Sequence, residues 1–276
     1  MSSKPAIKKR LFLIGTARSG TTLLQSMLSA HPDIFSFPET HFFRGTMSFI
    51  RYKRIFKCFG KKERAFVREF LTRLNETDLV ELLPNFTCSK RRWSKALISI
   101  LDAYALKQGY SIWLEKTPMH LYFIDLIQAV KPDTVFIHNI RNGEDVVASL
   151  YDAGHKHPES FNTRSIDKCI RRWLREIRIS KKYLASPNHV FVRYELLVDE
   201  PEKQLKKVCG KIGLPFDPGM LDYRRKADAI RFPEEVWKDR NTEEIKKVRK
   251  FETLFSKEEQ EYIRSRVAPV EMNIFN

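Results

Sequence analysis

The 276-residue sequence predicts a three-layer α/β fold, a central parallel sheet flanked by helices. Two patterns predict it. Short apolar runs read as strands buried on both faces, and longer stretches with apolar residues at helical spacing separate them. In chain order, LFLI places a strand at 10–14, SIWLE one at 111–115, TVFIHN one at 134–139 and HVFVR one at 189–193. Helices are expected at 21–30, 65–75, 92–108, 121–130, 143–151, 163–184 and 201–212, between or after these strands. With 42% hydrophobic residues the chain can bury an ordinary core. One domain over 1–276 is expected, with 42–110 as a helical insertion. Residues 215–276, charged and aromatic with few strand signals, read as a tail wrapped over it.

Composition narrows the class. The longest apolar stretches are four or five residues, far below the roughly 20 that span a bilayer. The opening MSSKPAIKKR leads into the first strand without the apolar region of a signal peptide. Cysteines stand at 58, 88, 169 and 209 with no CxxC pair and no histidine cluster, so reduced thiols in a cytoplasmic protein are the expectation. The formal net charge of +16 calls for an anionic partner. Residues 51–64 hold seven basic side chains against Glu63 alone, a pattern that usually marks a solvated face.

The most informative segment is LFLIGTARSGTTLLQSML, a strand, a glycine loop and a helix. Gly15 and Gly20 have the spacing of the nucleotide P-loop, whose backbone N–H groups and helix N-terminus hold phosphate oxygens. Ser19, Gly20, Thr21 and Thr22 are the candidate phosphate contacts. Thr21 stands where a P-loop kinase needs Lys, so the charge clamp for a γ-phosphate is missing. The cation lies inside the loop instead, at Arg18.

A cation inside the loop followed by Ser-Gly-Thr-Thr resembles the 5′-phosphosulfate loop of the sulfotransferase family. In that family an Arg after a strand and a Ser eight residues on hold a 3′-phosphate; VFIHNIRNGEDVVAS supplies Arg141 and Ser149 at that spacing. Asn142, Gly143 and Glu144 depart from the commonest pattern there, and Glu144 removes an extra cation. The resemblance implies 3′-phosphoadenosine 5′-phosphosulfate as donor, and no metal, since Arg18 and Lys116 would take the metal's electrostatic role.

Within the family the likeness is to the tyrosylprotein sulfotransferase branch and its bacterial relatives. His31-Pro32 followed by PET places Glu39 where that branch has its general base, and a carboxylate beside the donor is what removal of a hydroxyl proton requires. His41 is the alternative base, on the same face of an extended segment. WLEKTP aligns Lys116 with the cation that touches the leaving group; Thr117 replaces the branch's Asp. FVRYELL suggests Tyr194 as a nucleotide contact, and VWKDRN suggests Lys238. Trp113 and Trp173 read as core. The acceptor class, whether small molecule, peptide or glycan, is not legible. A P-loop kinase would need a Lys after Gly20 and an Asp for Mg²⁺. A nucleic-acid module would need aromatics among the basic residues, where only Tyr52, Phe56 and Phe59 stand.

Overall fold

The computed structural model describes residues 6–48, 57–223 and 250–276. In chain order the elements begin β1 (Lys9–Gly15), α1 (Thr21–Ser29), β2 (Ile34–Ser36), α2 (Phe42–Thr46), α3 (Lys61–Arg73) and α4 (Lys90–Lys107). They continue β3 (Ile112–Lys116), α5 (Ile124–Val130), β4 (Val135–Ile140), α6 (Gly143–Lys156), α7 (Pro158–Phe161) and α8 (Ile166–Lys181). Last come β5 (His189–Arg193), α9 (Tyr194–Asp199), α10 (Pro201–Ile212), α11 (Lys250–Leu254) and α12 (Lys257–Val267). The strands form one sheet in the order β2-β3-β1-β4-β5, and every pair is parallel.

Alternation along each strand divides two kinds of core. Phe12 lies level with Glu115 and Phe136, whereas Leu11 lies level with Leu114 and Val135. The Leu11 face is aliphatic and packs with Leu23, Leu24 and Leu28 of α1 and Leu205 and Val208 of α10. The Phe12 face is aromatic: the Phe12 ring lies edge-on to Trp113 with centroids 5.4 Å apart and stacks on Phe136 at 5.9 Å, over α4 and α5. Trp113 and Trp173 are fully buried, as expected of core residues.

Four of the five strands lie within a residue or two of their predicted positions. β2 escapes prediction because its three residues are too few to stand out as an apolar run. The last helices follow the same logic at larger scale. Phe251 of α11, Ile263 and Val267 of α12 and Phe255 between them share a core with Val146, Leu150 and Trp173 of α6 and α8, although the segment's charge hides its apolar face in sequence.

The cysteine expectation is corrected. Cys58 and Cys88 form a disulfide, while Cys169 and Cys209 are buried free thiols. Beside the disulfide, Phe59 and Thr87 exchange backbone hydrogen bonds of 2.8 and 3.0 Å. Pairing across 30 residues depends on the chain returning there, which spacing alone does not reveal. Phe59 stacks on Trp93 with centroids 5.0 Å apart and is fully buried, so it offers no platform for a base. Of the basic run, Lys57 pairs with Glu63 and Arg64 with Glu81. Residues 51–56 and Lys238 lie outside the described residues. No helix among the described residues is long and apolar enough to cross a membrane.

Candidate active site

The parallel sheet brings the carboxyl ends of its strands to one edge, where the crevice of such folds lies. β1 ends in the glycine loop, β2 leads to Glu39, β3 ends on Lys116, β4 leads to Arg141 and β5 leads to Tyr194. Each strand therefore delivers one candidate residue.

The loop is built for close approach. Arg18 and Gly20 have positive φ of 71° and 89°, which turn the backbone into a concave nest before α1. A Cβ on Gly20 would lie 2.2 Å from the Tyr194 ring, and one on Gly15 would lie 2.4 Å from the Asn139 carbonyl oxygen. Asn139 Nδ2 donates to the Ser19 carbonyl at 2.7 Å, tying the loop to β4. Ser19 is thus wholly buried and braces the loop through Asn139, while Thr22 on the first turn of α1 stays partly exposed.

Arg18 Nε donates to Ser149 Oγ at 3.3 Å, so the loop cation and the predicted serine, 131 residues apart, meet. Arg141 lies 4.3 Å from the Tyr194 ring centroid and pairs with Asp145 at 3.1 Å, yet its Nε is buried without a hydrogen-bond partner. Burial pushes the Tyr194 phenol up, and the neighbouring Arg141 partly opposes it. Tyr194 is therefore a wall of the loop as well as a core side chain. Asn142 caps α6, accepting from the Asp145 amide at 2.9 Å, and Glu144 reaches Arg264 of α12 at 3.5 Å. The departures from the family pattern thus have local structural partners.

The second half of the site is a charged triad. Lys116, 1% exposed, donates to Glu39 Oε1, and Glu39 Oε2 lies 3.5 Å from His41 Nε2. Gln25 of α1 fixes the segment by donating to the Phe37 carbonyl at 2.8 Å, and the Phe37 amide donates to Leu114 of β3. Burial lowers the pKa of His41 against the opposing pull of Glu39, which keeps the imidazole neutral and able to accept a proton at neutral pH. Both candidate bases are brought together. His31, whose Nδ1 accepts from the Asp33 amide and whose Nε2 lies 3.0 Å from the Pro215 carbonyl, is a buried brace.

Sequence reasoning missed the support beneath this triad. Glu115 is fully buried and takes hydrogen bonds from Thr40 Oγ1 at 2.9 Å and Thr117 Oγ1 at 2.5 Å, with His120 Nδ1 at 2.8 Å. Burial alone would raise its carboxyl, but His120 and these hydrogen bonds prevail and hold it below the ordinary value. Thr117 also accepts from the His41 amide at 3.3 Å. The only signal in sequence was a buried-strand carboxylate with a His five residues on.

The sulfotransferase family model matches residues 10–218. The chain belongs to the sulfotransferase family. It is 25% identical to nodulation protein NoeE of Sinorhizobium fredii over 75% of this chain and 50% of that protein. To a putative protein-tyrosine sulfotransferase of Caenorhabditis briggsae it is 26% identical, over 77% and 68%. Protein-tyrosine sulfotransferase 1 of Danio rerio is 24% identical over 77% and 55%, so the chain spans half to two-thirds of these relatives' lengths. Among solved structures, the sulfotransferase domain from the curacin biosynthetic pathway matches with a TM-score of 0.57 at 18% identity, covering 95% of this chain and 98% of that one. Mouse sulfotransferase SULT7A1 complexed with PAP matches with a TM-score of 0.56 at 13% identity, covering 99% and 89%. These likenesses bear out the P-loop-like α/β fold, a central parallel sheet flanked by helices.

Proposed function

We propose that this member of the family transfers a sulfuryl group from 3′-phosphoadenosine 5′-phosphosulfate to a hydroxyl or amine acceptor, with Glu39 as general base. The observation that carries the reading is the meeting of Arg18 with Ser149, next to Arg141 and the glycine loop. Positive φ at Arg18 and Gly20 shapes the loop as a cradle for a phosphate, Gly15 and Gly20 let it pack tightly on Asn139 and Tyr194, and the unpartnered Nε of Arg141 supplies a donor for a second phosphate. Gly20, Thr21 and Thr22 would hold the 5′ end, with Ser19 bracing the loop from behind through Asn139. Arg141 and Ser149 would hold the 3′-phosphate, with Tyr194 against the nucleotide and Lys238 as a further contact.

When bound, the donor supplies a sulfuryl group activated by its bond to phosphate. The chain's own residues then have distinct tasks. Glu39 receives the acceptor proton at Oε2, the oxygen on the side of His41, while Oε1 accepts from Lys116. Lys116 and Arg18 place fixed positive charge where negative charge develops on the leaving side, without a metal. Glu115, Thr40 and Thr117 hold Glu39 and Lys116 in register. Residues 42–110 would shape the acceptor side of the domain.

Thermal-shift measurements with adenosine 3′,5′-bisphosphate, ATP with Mg²⁺, and single-stranded DNA test the donor. A shift with the bisphosphate is expected; a shift with ATP and Mg²⁺ alone would point to a kinase, and one with DNA alone to a nucleic-acid module. Glu39→Gln is expected to keep bisphosphate binding and lose about 10²-fold or more in transfer. Full transfer by Glu39→Gln together with its loss in His41→Ala would move the base to His41.

A further inference from the structure

A second cationic feature shares no residue with the proposed donor contacts. Between the Pro118–Phe123 turn and α8 is a cavity of about 320 Å³, lined by Arg164, Lys168, Arg171, Arg172 and Arg175 with Met119, Tyr122 and Glu176. Helical spacing explains the concentration: Lys168, Arg171 and Arg175 follow at i, i+3 and i+7 on one face of α8. Among the described residues, Glu176 is the only carboxylate in the lining, and its Oε1 is already taken by Tyr122 at 3.0 Å and Arg172 at 3.1 Å. Five cations against one carboxylate leave a surplus of four.

The arrangement is costly without an occupant. Arg164 Nη1 is buried with no hydrogen-bond partner. Burial, with Arg172 and Arg44 nearby, disfavours its charged form. Arg44 also acts on His41, so it stands within electrostatic reach of both the cavity and the candidate base. Met119, in the wall, takes a hydrogen bond from Arg172 at 2.9 Å and precedes His120, whose Nδ1 lies 2.8 Å from Glu115 and whose ring lies 5.2 Å from Phe43 of α2, so the Pro118–Phe123 turn links the cavity wall to the support beneath the triad.

We propose that this cavity is the acceptor's anion subsite, and that the acceptor already carries a phosphate or sulfate ester. The inference rests on the sulfotransferase reading and deepens it. A guanidinium matches two oxygens of a tetrahedral oxyanion at once, and four of the five cations that line this cavity are arginines.

Isothermal titration calorimetry on protein saturated with adenosine 3′,5′-bisphosphate keeps the donor site out of the measurement. Glucose 6-phosphate and glucose 6-sulfate are the ester probes, with glucose and a hexaglutamate peptide as comparisons. Saturable binding of an ester, with none of glucose, is expected, and the preferred ester identifies the group. Arg171→Gln with Arg175→Gln, both at exposed positions, should weaken ester binding at least about tenfold while leaving bisphosphate affinity unchanged. Arg164→Gln should act in the same direction. Ester binding that the double variant leaves intact, no ester binding at all, or hexaglutamate binding as tightly as the esters would each overturn the proposal. The sulfotransferase reading would survive those results; failure of the bisphosphate itself to bind would defeat both.

Discussion

Gly20 shows how narrowly a single residue sets the donor loop. Its φ of 89°, and a Tyr194 ring only 2.2 Å from where a Cβ would stand, leave neither the conformation nor the space for a side chain. Gly20→Ala is expected to cost roughly 1–3 kcal/mol of stability through backbone strain. It should also lower bisphosphate affinity by displacing Tyr194, readable as a smaller thermal shift on ligand addition; an unchanged shift would separate Tyr194 from the loop. At this scale legibility follows a physical divide. Arg18, Glu39, Lys116 and Arg141 were readable because each stands in a short motif whose spacing resembles the family's, and a side chain in such a motif is fixed by its near neighbours in sequence. Glu115 and His120 were not, because Glu115 meets its partners only once the Pro118–Phe123 turn folds back beneath β3 and brings His120 to it. Ser19 reads as a phosphate contact from its position in the loop, and the structure shows it fully buried, braced against Asn139.

Whole elements were legible where one apolar pattern dominated, as in β1, β3, β4 and β5. Between Glu39 and β3 the helices expected at 65–75 and 92–108 are present as α3 and α4, but what holds them in place was not legible, because those contacts are distant in sequence. Trp93 of α4 donates to Thr46 of α2 at 3.1 Å and stacks on Phe59, and the Cys58–Cys88 disulfide closes the same region. That bond restricts the unfolded chain over a separation of 30 residues, which on the loop-entropy account is worth about 3–4 kcal/mol. Urea denaturation of Cys58→Ser, or of reduced wild type, should show a loss of that order with bisphosphate binding preserved. Peptide mapping under non-reducing conditions should recover the 58–88 pair. Because such bonds persist in oxidising compartments, mapping protein from an oxidising and a reducing host reads out how strongly the bond forms.

Across the molecule, the sheet that converges on the site is also braced by a ladder of histidines on its aromatic face. His138 of β4 lies 3.0 Å from Ser180 Oγ of α8 and 2.8 Å from His189 of β5, and His189 lies 3.0 Å from Gln128 of α5. Tyr183 stacks on His189 with centroids 4.5 Å apart. The ladder thus joins two strands to a helix at each end. Burial lowers the pKa of His138 well below its ordinary value, with His189 adding to the effect, and burial with Lys211 takes His189 down to about 4. A histidine held neutral in the fold takes up a proton more readily once unfolded. Stability is therefore full above the unfolded value of 6.5 and falls as pH drops from there towards about 4. Glu115 acts in the same sense at lower pH, its contribution being lost as pH falls below 4.5 and through its depressed folded value. The denaturation midpoint should accordingly drop between pH 7 and pH 5, before carboxylates titrate. His138→Gln, whatever its effect at pH 7, should flatten that pH dependence; an unchanged slope would assign the acid sensitivity to groups other than His138, with His189 and His41 the next to substitute.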